Sequence, residues 1–219
     1  MNPINVLLVD DHTLVRQGIR RLLEGQPNIR VVGEAEDGSQ AVRFCRDHDP
    51  DVVVMDISMP NMNGLLTTTQ ISRLSKKIKI LILSMHADEE YVFQSLKAGA
   101  AGYLVKKAVA SDLVTAIQTV ARGDAYFSPT VSKIVLDDYR HDHSGAKPSR
   151  EKVSLTLREE EILQLIAEGN TSKEIADKLC IGIKTVETHR WHLMQKLEIH
   201  DLVGLVKYAI KRGIIHLDA

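Results

Sequence analysis

The feature of this 219-residue sequence that most restricts its fold is a five-fold alternation of short apolar runs with longer amphipathic stretches. Runs rich in β-branched residues predict five strands, at residues 4–9, 30–34, 52–55, 78–83 and 102–105. Apolar residues at helical spacing predict helices between and after them, near 14–24, 39–48, 64–74, 88–98 and 110–122. The run at 52–55 is apolar throughout, which is typical of a strand covered on both faces. The sequence therefore predicts an α/β domain of (βα)5 type with a parallel five-stranded sheet.

Composition narrows the class of protein further. Hydrophobic residues make up 44% of the chain and aromatic residues 4%, which favours aliphatic α/β or helical packing over an aromatic-rich sandwich or barrel. No apolar run reaches the roughly 18–20 residues of a membrane helix, and the first residues lack the pattern of a signal peptide. Cys45 and Cys180 are interpreted as small core residues in a reducing cytosol. We therefore expect a cytoplasmic protein with no membrane partner.

Side chains that can bind a metal ion or take part in a reaction follow the ends of the predicted strands. Asp10 and Asp11 follow the first strand, Asp56 the third, Ser84 the fourth and Lys106 the fifth. The carboxyl ends of parallel strands meet at one edge of a sheet, where ligands bind. Three carboxylates there repel one another unless a cation neutralises them, and oxygen ligands suit Mg²⁺. A single acid would be an ordinary solvated loop residue, but the set predicts a site that holds a phosphoryl group on one carboxylate.

The motifs around these residues, VLLVDDH, VVMDISMPNMNG, LSMH and AGAAGYLVKKA, resemble those of response-regulator receiver domains over residues 3–123. The resemblance implies a flavodoxin-like fold with Asp56 as the phosphoacceptor. It also implies that Asp10 and Asp11 are carboxylates of the Mg²⁺ site. Further roles follow from the same resemblance: Ser84 and Tyr103 as switch residues, Lys106 as the phosphoryl contact, and the backbone carbonyl of Ser58 as a metal ligand.

Two positions depart from the common receiver pattern. Lys107 stands where many receivers have proline after the active-site lysine. Met85 stands where many have alanine, and its larger side chain is expected to narrow access to Asp56. Neither departure removes a group of the predicted site, so the expected chemistry is unchanged.

Residues 125–150 are expected to link two domains. A helix ending near Tyr139 is compatible with the pattern, and residues 140–150 are polar and rich in turn-forming residues, as in a flexible linker. His141 and His143 have the spacing of a metal pair, but a solvated loop is the preferred interpretation because no third ligand is in view. The predicted domains are therefore 1–124 and 151–219.

The second domain is predicted to be all-α with four helices. Thr156 and Glu159 fit a capping box that opens the first helix. A short helix at 172–179, a turn containing Gly182 and a longer helix at 183–197 follow, and the fourth helix spans 202–212. A short helix, a tight turn and a longer helix form the order of a helix-turn-helix, whose second helix enters the DNA major groove.

Helical periodicity divides the longer helix into two faces. Val186, Leu193 and Leu197 share one face and are expected in the core. A polar opposite face would by itself be read as solvated, but the preceding helix and turn favour DNA contact. The residues predicted to contact double-stranded DNA are Lys184, Thr185, Glu187, Thr188, Trp191 and His192. Lys184 is assigned to a phosphate.

Charge does not identify the DNA-binding domain. Residues 151–219 contain 10 Lys and Arg and 11 Asp and Glu, so this domain is not basic overall. Affinity for nucleic acid is then expected to come from local placement of cations, with two subunits side by side.

Residues 151–217, with the motif LTLREEEILQLIAEGNTSKEIADKLCIGIKTVETHRWHLMQKLEI, resemble the LuxR-type DNA-binding domain. Together with the receiver, the chain is similar to the NarL/FixJ family of transcriptional regulators. This implies a bacterial two-component system, a sensor histidine kinase as partner, and a homodimer on inverted-repeat DNA when the chain is phosphorylated. The implied dimer contact lies in the final helix, at Leu202, Leu205, Val206 and Ala209. Glu187 stands where lysine is frequent, so a different operator preference is implied.

Three other functions fit the sequence less well. A phosphatase of the haloacid dehalogenase type needs Asp-x-Asp after the first strand, but this chain has Asp10-Asp11-His12. A DNA-binding regulator triggered without phosphorylation is disfavoured by the intact set of acids. A pure protein-interaction module is disfavoured by the helix-turn-helix. The preferred interpretation is a transcriptional regulator that is not an enzyme.

Overall fold

The computed structural model describes residues 3–85, 89–142 and 155–215. The chain divides into two compact units, Met1–Ala146 and Lys147–Ala219, each with hydrophobic core of its own. Within the described residues, no helix has the length and apolar character needed to cross a membrane.

The first unit alternates strands and helices. Its strands are β1 (Ile4–Val9), β2 (Ile29–Ala35), β3 (Val52–Asp56), β4 (Lys79–Ser84), β5 (Gly102–Val105) and β6 (Tyr126–Phe127). Its helices are α1 (Thr13–Glu24), α2 (Gly38–Asp47), α3 (Gly64–Leu74), α4 (Glu89–Ala98), α5 (Val109–Ala121) and α6 (Pro129–Asp142). All strand pairs are parallel, in the order β2-β1-β3-β4-β5-β6. The predicted α/β, flavodoxin-like fold class is confirmed.

The sheet has core on both faces. Side chains of successive strand residues point to opposite sides, so Val52 and Val54 of β3 join one cluster while Val53 and Met55 join the other. All of β3 is buried, as its continuous apolar run predicts. The carboxyl end of this central strand is therefore surrounded by protein and delivers Asp56 to the edge of the sheet.

The sheet has six strands, and the prediction of five has to be corrected. Tyr126 and Phe127 pair in parallel with Gly102 and Tyr103 of β5. The Ser128 amide extends the ladder by donating to the Tyr103 carbonyl at 3.1 Å. A strand of two residues is too short to show an alternating pattern. Its formation depends on the free edge of β5, which only the folded sheet provides.

Helix α6 packs against α4 within the first unit. Val131 at its start is completely buried in the cluster that contains Tyr91, Val92 and Tyr103. The first part of the segment expected to be a linker is thus built into the core of this unit. Residues 143–150, including His143, lie outside the described residues.

The second unit consists of α7 (Leu157–Ala167), α8 (Ser172–Leu179), α9 (Ile183–Leu197) and α10 (Leu202–Lys211). The predicted capping box is confirmed: the Glu159 amide donates to Thr156 Oγ1 at 3.2 Å, and Glu159 accepts from the Thr156 amide at 2.7 Å. Thr171 and Glu174 form a second capping box at the start of α8. These caps satisfy amides that the first helical turns leave unpaired.

The two cysteines differ in environment. Cys45 is buried, as predicted, whereas Cys180 is exposed, and its assignment to the core is wrong. Cys180 ends α8 with a left-handed backbone (φ 52°), which turns the chain toward α9. This position between two helices faces outward because the turn, and not the helix periodicity, sets its direction.

We expect Val131→Ala to destabilise the first unit by about 2 kcal/mol, because it removes two buried methyl groups from a filled core. Leu136→Ala on the same helix is the control, since Leu136 is 54% exposed, and should cost less than about 0.5 kcal/mol. Urea unfolding followed by far-ultraviolet circular dichroism measures the effect. The tryptophan signal comes from Trp191 in the second unit and identifies that unit's transition. Equal effects of the two substitutions would contradict the placement of α6 in the core.

Candidate functional site

The predicted acidic residues and the lysine meet at the carboxyl edge of the sheet. Asp56 ends β3 and Asp10 directly follows β1, and both are buried. Lys106 follows β5, and its Nζ lies 2.9 Å from Asp10 Oδ2 and 2.9 Å from Asp56 Oδ2. Ser84, also buried, ends β4 in register with Val105, one residue before Lys106. The structure thus brings together groups that are up to 96 residues apart in the chain.

Burial and ion pairing shift the pKa values of Asp56 and Lys106. Burial raises the pKa of the Asp56 carboxyl from the ordinary 3.8 to about 6, although Lys106 acts in the opposite direction. Burial by itself would lower the pKa of Lys106, but Asp56 and Asp10 outweigh it and the pKa is raised. The ammonium group therefore stays charged at neutral pH. One ammonium faces several carboxylates, so the cluster retains negative charge that a cation can neutralise.

The donor set fits a divalent cation. Asp10, Asp11, His12 and Asp56 each offer a ligand atom, and these atoms lie within 4.8 Å of one another. Asp11 Oδ1 is buried and accepts no hydrogen bond from the described residues. His12 Nδ1 is 2.9 Å from this oxygen, but the orientation is not that of a hydrogen bond. A metal ion would satisfy the orphaned oxygen, and a set dominated by carboxylates suits Mg²⁺.

The loop after β3 fixes the Asp56 backbone. The Gly64 amide donates to the Ile57 carbonyl at 2.9 Å, and a Cβ on Gly64 would lie 2.0 Å from the Asp56 carbonyl oxygen. Only glycine therefore fits at this position. Asn63 Oδ1 accepts from the Leu66 amide at 2.9 Å and caps α3. Ser58 lies in this loop and is half-buried.

The residues expected to act as switches, Ser84 and Tyr103, are both buried in the first unit. Tyr103 is completely buried in the core cluster that also contains Val131 of α6. Ser84 is buried at the end of the neighbouring strand. Met85, next in the chain, is exposed. The burial of Tyr103 and Val131 in one core cluster was not predicted, because α6 has no sequence signal that ties it to the sheet.

The predicted DNA-contacting face of α9 is exposed. Each of its six predicted residues is exposed, and Trp191 is 59% exposed. Val186 and Leu193 on the opposite face are completely buried, which confirms the division of the helix into two faces. Ile183, at the first position of the helix, is also exposed and extends this surface. Ile183 was not among the predicted surface residues, because an apolar residue at the start of a helix gives no sequence signal of exposure.

An ion pair fixes α9 within its unit. Lys196 Nζ lies 2.8 Å from Glu159 Oε2, the carboxylate of the α7 capping box. Burial alone would raise the pKa of Glu159, but Lys196 and Thr156 outweigh it and the pKa is lowered. The charged carboxylate thus joins the start of α7 to the last turn of α9. The sequence gives no signal for this ion pair, because its members are 37 residues apart.

The expected dimer contact on α10 needs revision. Leu205 and Ala209 are completely buried in the core of the second unit. Side chains in this core cannot contact a second subunit while the unit stays folded. Leu202 and Val203 are 47% and 62% exposed, and Val206 is half-buried. Of the four predicted residues, Leu202 and Val206 therefore remain available for a contact, and Val203 adds exposed apolar surface beside them.

Comparison with known families identifies both units of the chain. Residues 6–118 match the response regulator receiver domain, and residues 153–209 match the bacterial regulatory proteins of the luxR family. The chain therefore belongs to the two-component response regulators with a receiver domain and a LuxR-type helix-turn-helix domain. Within this class it is of the NarL/FixJ type, in agreement with the sequence motifs.

Similar proteins match over nearly the whole chain. The transcriptional regulatory protein LiaR of Bacillus subtilis is 41% identical, covering 97% of this chain and 100% of LiaR. The oxygen regulatory protein NreC of Staphylococcus carnosus is 40% identical, covering 97% of this chain and 99% of NreC. The solved structure of Salmonella typhimurium RcsB is 29% identical with a TM-score of 0.59, covering 95% of this chain and 98% of RcsB.

The raised pKa of Asp56 predicts how stability depends on pH in the absence of metal. The folded state binds the Asp56 proton more tightly than the unfolded state, so protonation of Asp56 stabilises the fold. This stabilisation is complete below about pH 3.8. This effect is lost as pH rises through about 6. We expect the loss to be about 3 kcal/mol in the first unit. Asp56→Asn should remove this part of the pH dependence.

Urea unfolding in EDTA between about pH 4 and pH 7.5 measures this effect. Asp51→Asn is the control, because Asp51 is an exposed acid just before the opposite end of β3. Parallel pH profiles for the wild type and Asp56→Asn would contradict the assignment of the raised pKa to Asp56.

Proposed function

We propose that Asp56 accepts a phosphoryl group from a sensor histidine kinase and that this modification controls DNA binding by the second unit. The observation that carries the proposal is the contact of one ammonium group, Lys106 Nζ, with both Asp56 and Asp10. This arrangement places a fixed positive charge beside the carboxylate at the end of the central strand. Such a charge is what phosphoryl transfer to a carboxylate requires.

Each residue of the site has a separate role in the proposed phosphoryl transfer. A carboxylate oxygen of Asp56 attacks phosphorus, and the bond from phosphorus to the kinase histidine nitrogen breaks with its electron pair going to nitrogen. Lys106 stabilises the negative charge on the phosphoryl oxygens. Asp10, Asp11, Asp56 and the Ser58 carbonyl would hold Mg²⁺, which supplies further positive charge when bound. Ser84 and Tyr103 are proposed to respond to the new group as switch residues.

The exposed face of α9 supports binding to double-stranded DNA. Lys184, Thr188 and Trp191 present a cation, a hydroxyl and an aromatic ring on one surface. Such groups suit phosphate, base-edge and thymine-methyl contacts, respectively. A similar protein, RcsB (29% identical, TM-score 0.58), has been solved as two dimers bound to two parallel DNAs. We propose transcriptional regulation by this surface, in the cytoplasm, without turnover of a separate substrate.

Dimerisation is the proposed consequence of phosphorylation. The second unit has no excess of basic residues, so a single copy offers few phosphate contacts. Two copies on an inverted repeat double those contacts and make the second binding event intramolecular. Leu202 and Val203 provide exposed apolar surface on α10 for such a homodimer.

Asp56→Asn is expected to abolish labelling by radioactive acetyl phosphate in the presence of Mg²⁺, because the amide is a poor nucleophile and metal ligand. The matched control is Asp51→Asn, an exposed acid just before the opposite end of β3, which should be labelled like the wild type. Undiminished labelling of Asp56→Asn would remove Asp56 as the phosphoacceptor.

Lys184→Ala is expected to weaken binding to all DNA sequences alike. Removal of one phosphate contact should reduce the slope of log affinity against log salt concentration by about 0.9 per subunit. Lys211→Ala, an exposed lysine at the end of α10, is the control and should leave the slope unchanged. Fluorescence anisotropy at several salt concentrations gives both slopes. An effect of Lys184→Ala confined to one base position would assign this lysine to base recognition instead.

A further inference from the structure

Arg16 is a buried cation next to the acidic site that no sequence motif singled out. It lies in the first turn of α1, and its side chain is 7% exposed. Three of its nitrogen atoms have partners. Nη1 donates to the Asp10 backbone carbonyl at 2.5 Å, Nε to Glu34 Oε2 at 2.8 Å, and Nη2 to Glu36 Oε1 at 2.8 Å.

Stability alone does not account for this arrangement. Transfer of a guanidinium group from water into protein is unfavourable, and a buried ion pair is often no more stabilising than apolar residues of similar volume. What the guanidinium adds is direction, because its planar donors have a fixed geometry. Here Glu34 and Glu36, at the end of β2, hold the plane of the guanidinium group. The remaining donor, Nη1, points at the Asp10 carbonyl oxygen.

The carbonyl that Arg16 holds belongs to the peptide group joining Asp10 to Asp11. This peptide group is planar, so fixing its oxygen also fixes the nitrogen from which Asp11 continues. The Asp10 amide on the other side donates to the Ala35 carbonyl at 3.2 Å. The Asp10 carboxylate accepts from the His12 amide at 2.9 Å. Arg16 therefore completes a set of contacts that determines where both carboxylates point.

We propose that Arg16 is a positioning residue for the divalent cation: it fixes the peptide plane between Asp10 and Asp11 so that their carboxylates converge with Asp56. The inference rests on the proposed cation site of the receiver. Loss of groups that orient metal ligands commonly reduces metal affinity by about 10–100-fold. Loss of Arg16 is expected to have an effect of this size.

Arg20 offers a matched control in the same network. Its Nη1 lies 2.6 Å from Glu34 Oε1, and its Nε lies 2.7 Å from Glu24 Oε1. Arg20 thus shares Glu34 with Arg16, but within the described part of the chain its guanidinium binds Glu24 and Glu34 and not the Asp10 carbonyl. Arg20→Met removes a guanidinium group from the network and leaves the peptide group between the two aspartates held.

The test measures Mn²⁺ binding to the full-length chain by electron paramagnetic resonance, with Mg²⁺ as competitor. Arg16→Met should raise the dissociation constant about 10–100-fold, and Arg20→Met should change it less than about two-fold. Arg16→Lys should lie between them, because one ammonium group cannot replace three directed donors. With acetyl phosphate as donor, the half-saturating Mg²⁺ concentration should rise in Arg16→Met while the rate at saturating Mg²⁺ stays within about two-fold of the wild type.

Several results would overturn the proposal: wild-type Mn²⁺ affinity in Arg16→Met, equal weakening in Arg20→Met, or no Mn²⁺ binding by the wild type. Circular dichroism checks folding, and if Arg16→Met does not fold, Arg16→Lys decides alone. Its affinity should then fall at least about three-fold, and an unchanged value refutes the role. Wild-type Mn²⁺ binding without labelling of Asp56 would instead contradict the proposed phosphorylation while leaving the role of Arg16 intact.

Discussion

The contact of Lys106 with Asp10 and Asp56 is the interaction on which the organisation of the first unit depends. Each 2.9 Å contact joins the ends of strands that are distant in sequence. The parallel sheet brings these ends together, and burial makes their charges costly unless they are paired. The ammonium group of Lys106 offsets part of the negative charge, which reduces the cost of burying these carboxylates. It does not neutralise all of them, so the site can still bind a cation. The excess negative charge at this edge of the sheet is what a bound cation would neutralise.

Two residues next to the acidic cluster hold its backbone in place. Gly64 allows the loop after β3 to approach the Asp56 carbonyl, and a side chain at this position would displace the strand end. Arg16 holds the neighbouring carbonyl of Asp10. Close packing and a hydrogen bond thus hold the backbone of the site, while among the described residues Asp11 Oδ1 accepts no hydrogen bond. Because the ligands are already oriented, little conformational freedom has to be lost when a cation binds.

The second unit achieves its geometry by different means. Capping boxes at Thr156 and Thr171 set where α7 and α8 begin, and the left-handed residue Cys180 sets the angle of the turn before α9. The pair of Glu159 and Lys196 then ties α9 to the start of α7. Local hydrogen bonds and one long-range ion pair thus hold the helix that carries the exposed face of α9.

The sequence alone determined the strand and helix alternation, the acids at strand ends and the two faces of α9, because these follow from periodicities of two and 3.6 residues and from the direction of parallel strands. Tertiary structure decided the rest. Strand β6 exists because β5 offers a free edge, and Val131 is buried because α4 lies beside α6. Leu205 and Ala209 belong to the core of the second unit, although the family resemblance implied that they contact a second subunit. Arg16 acquires its position from Glu34 and Glu36, which only the folded sheet brings within reach.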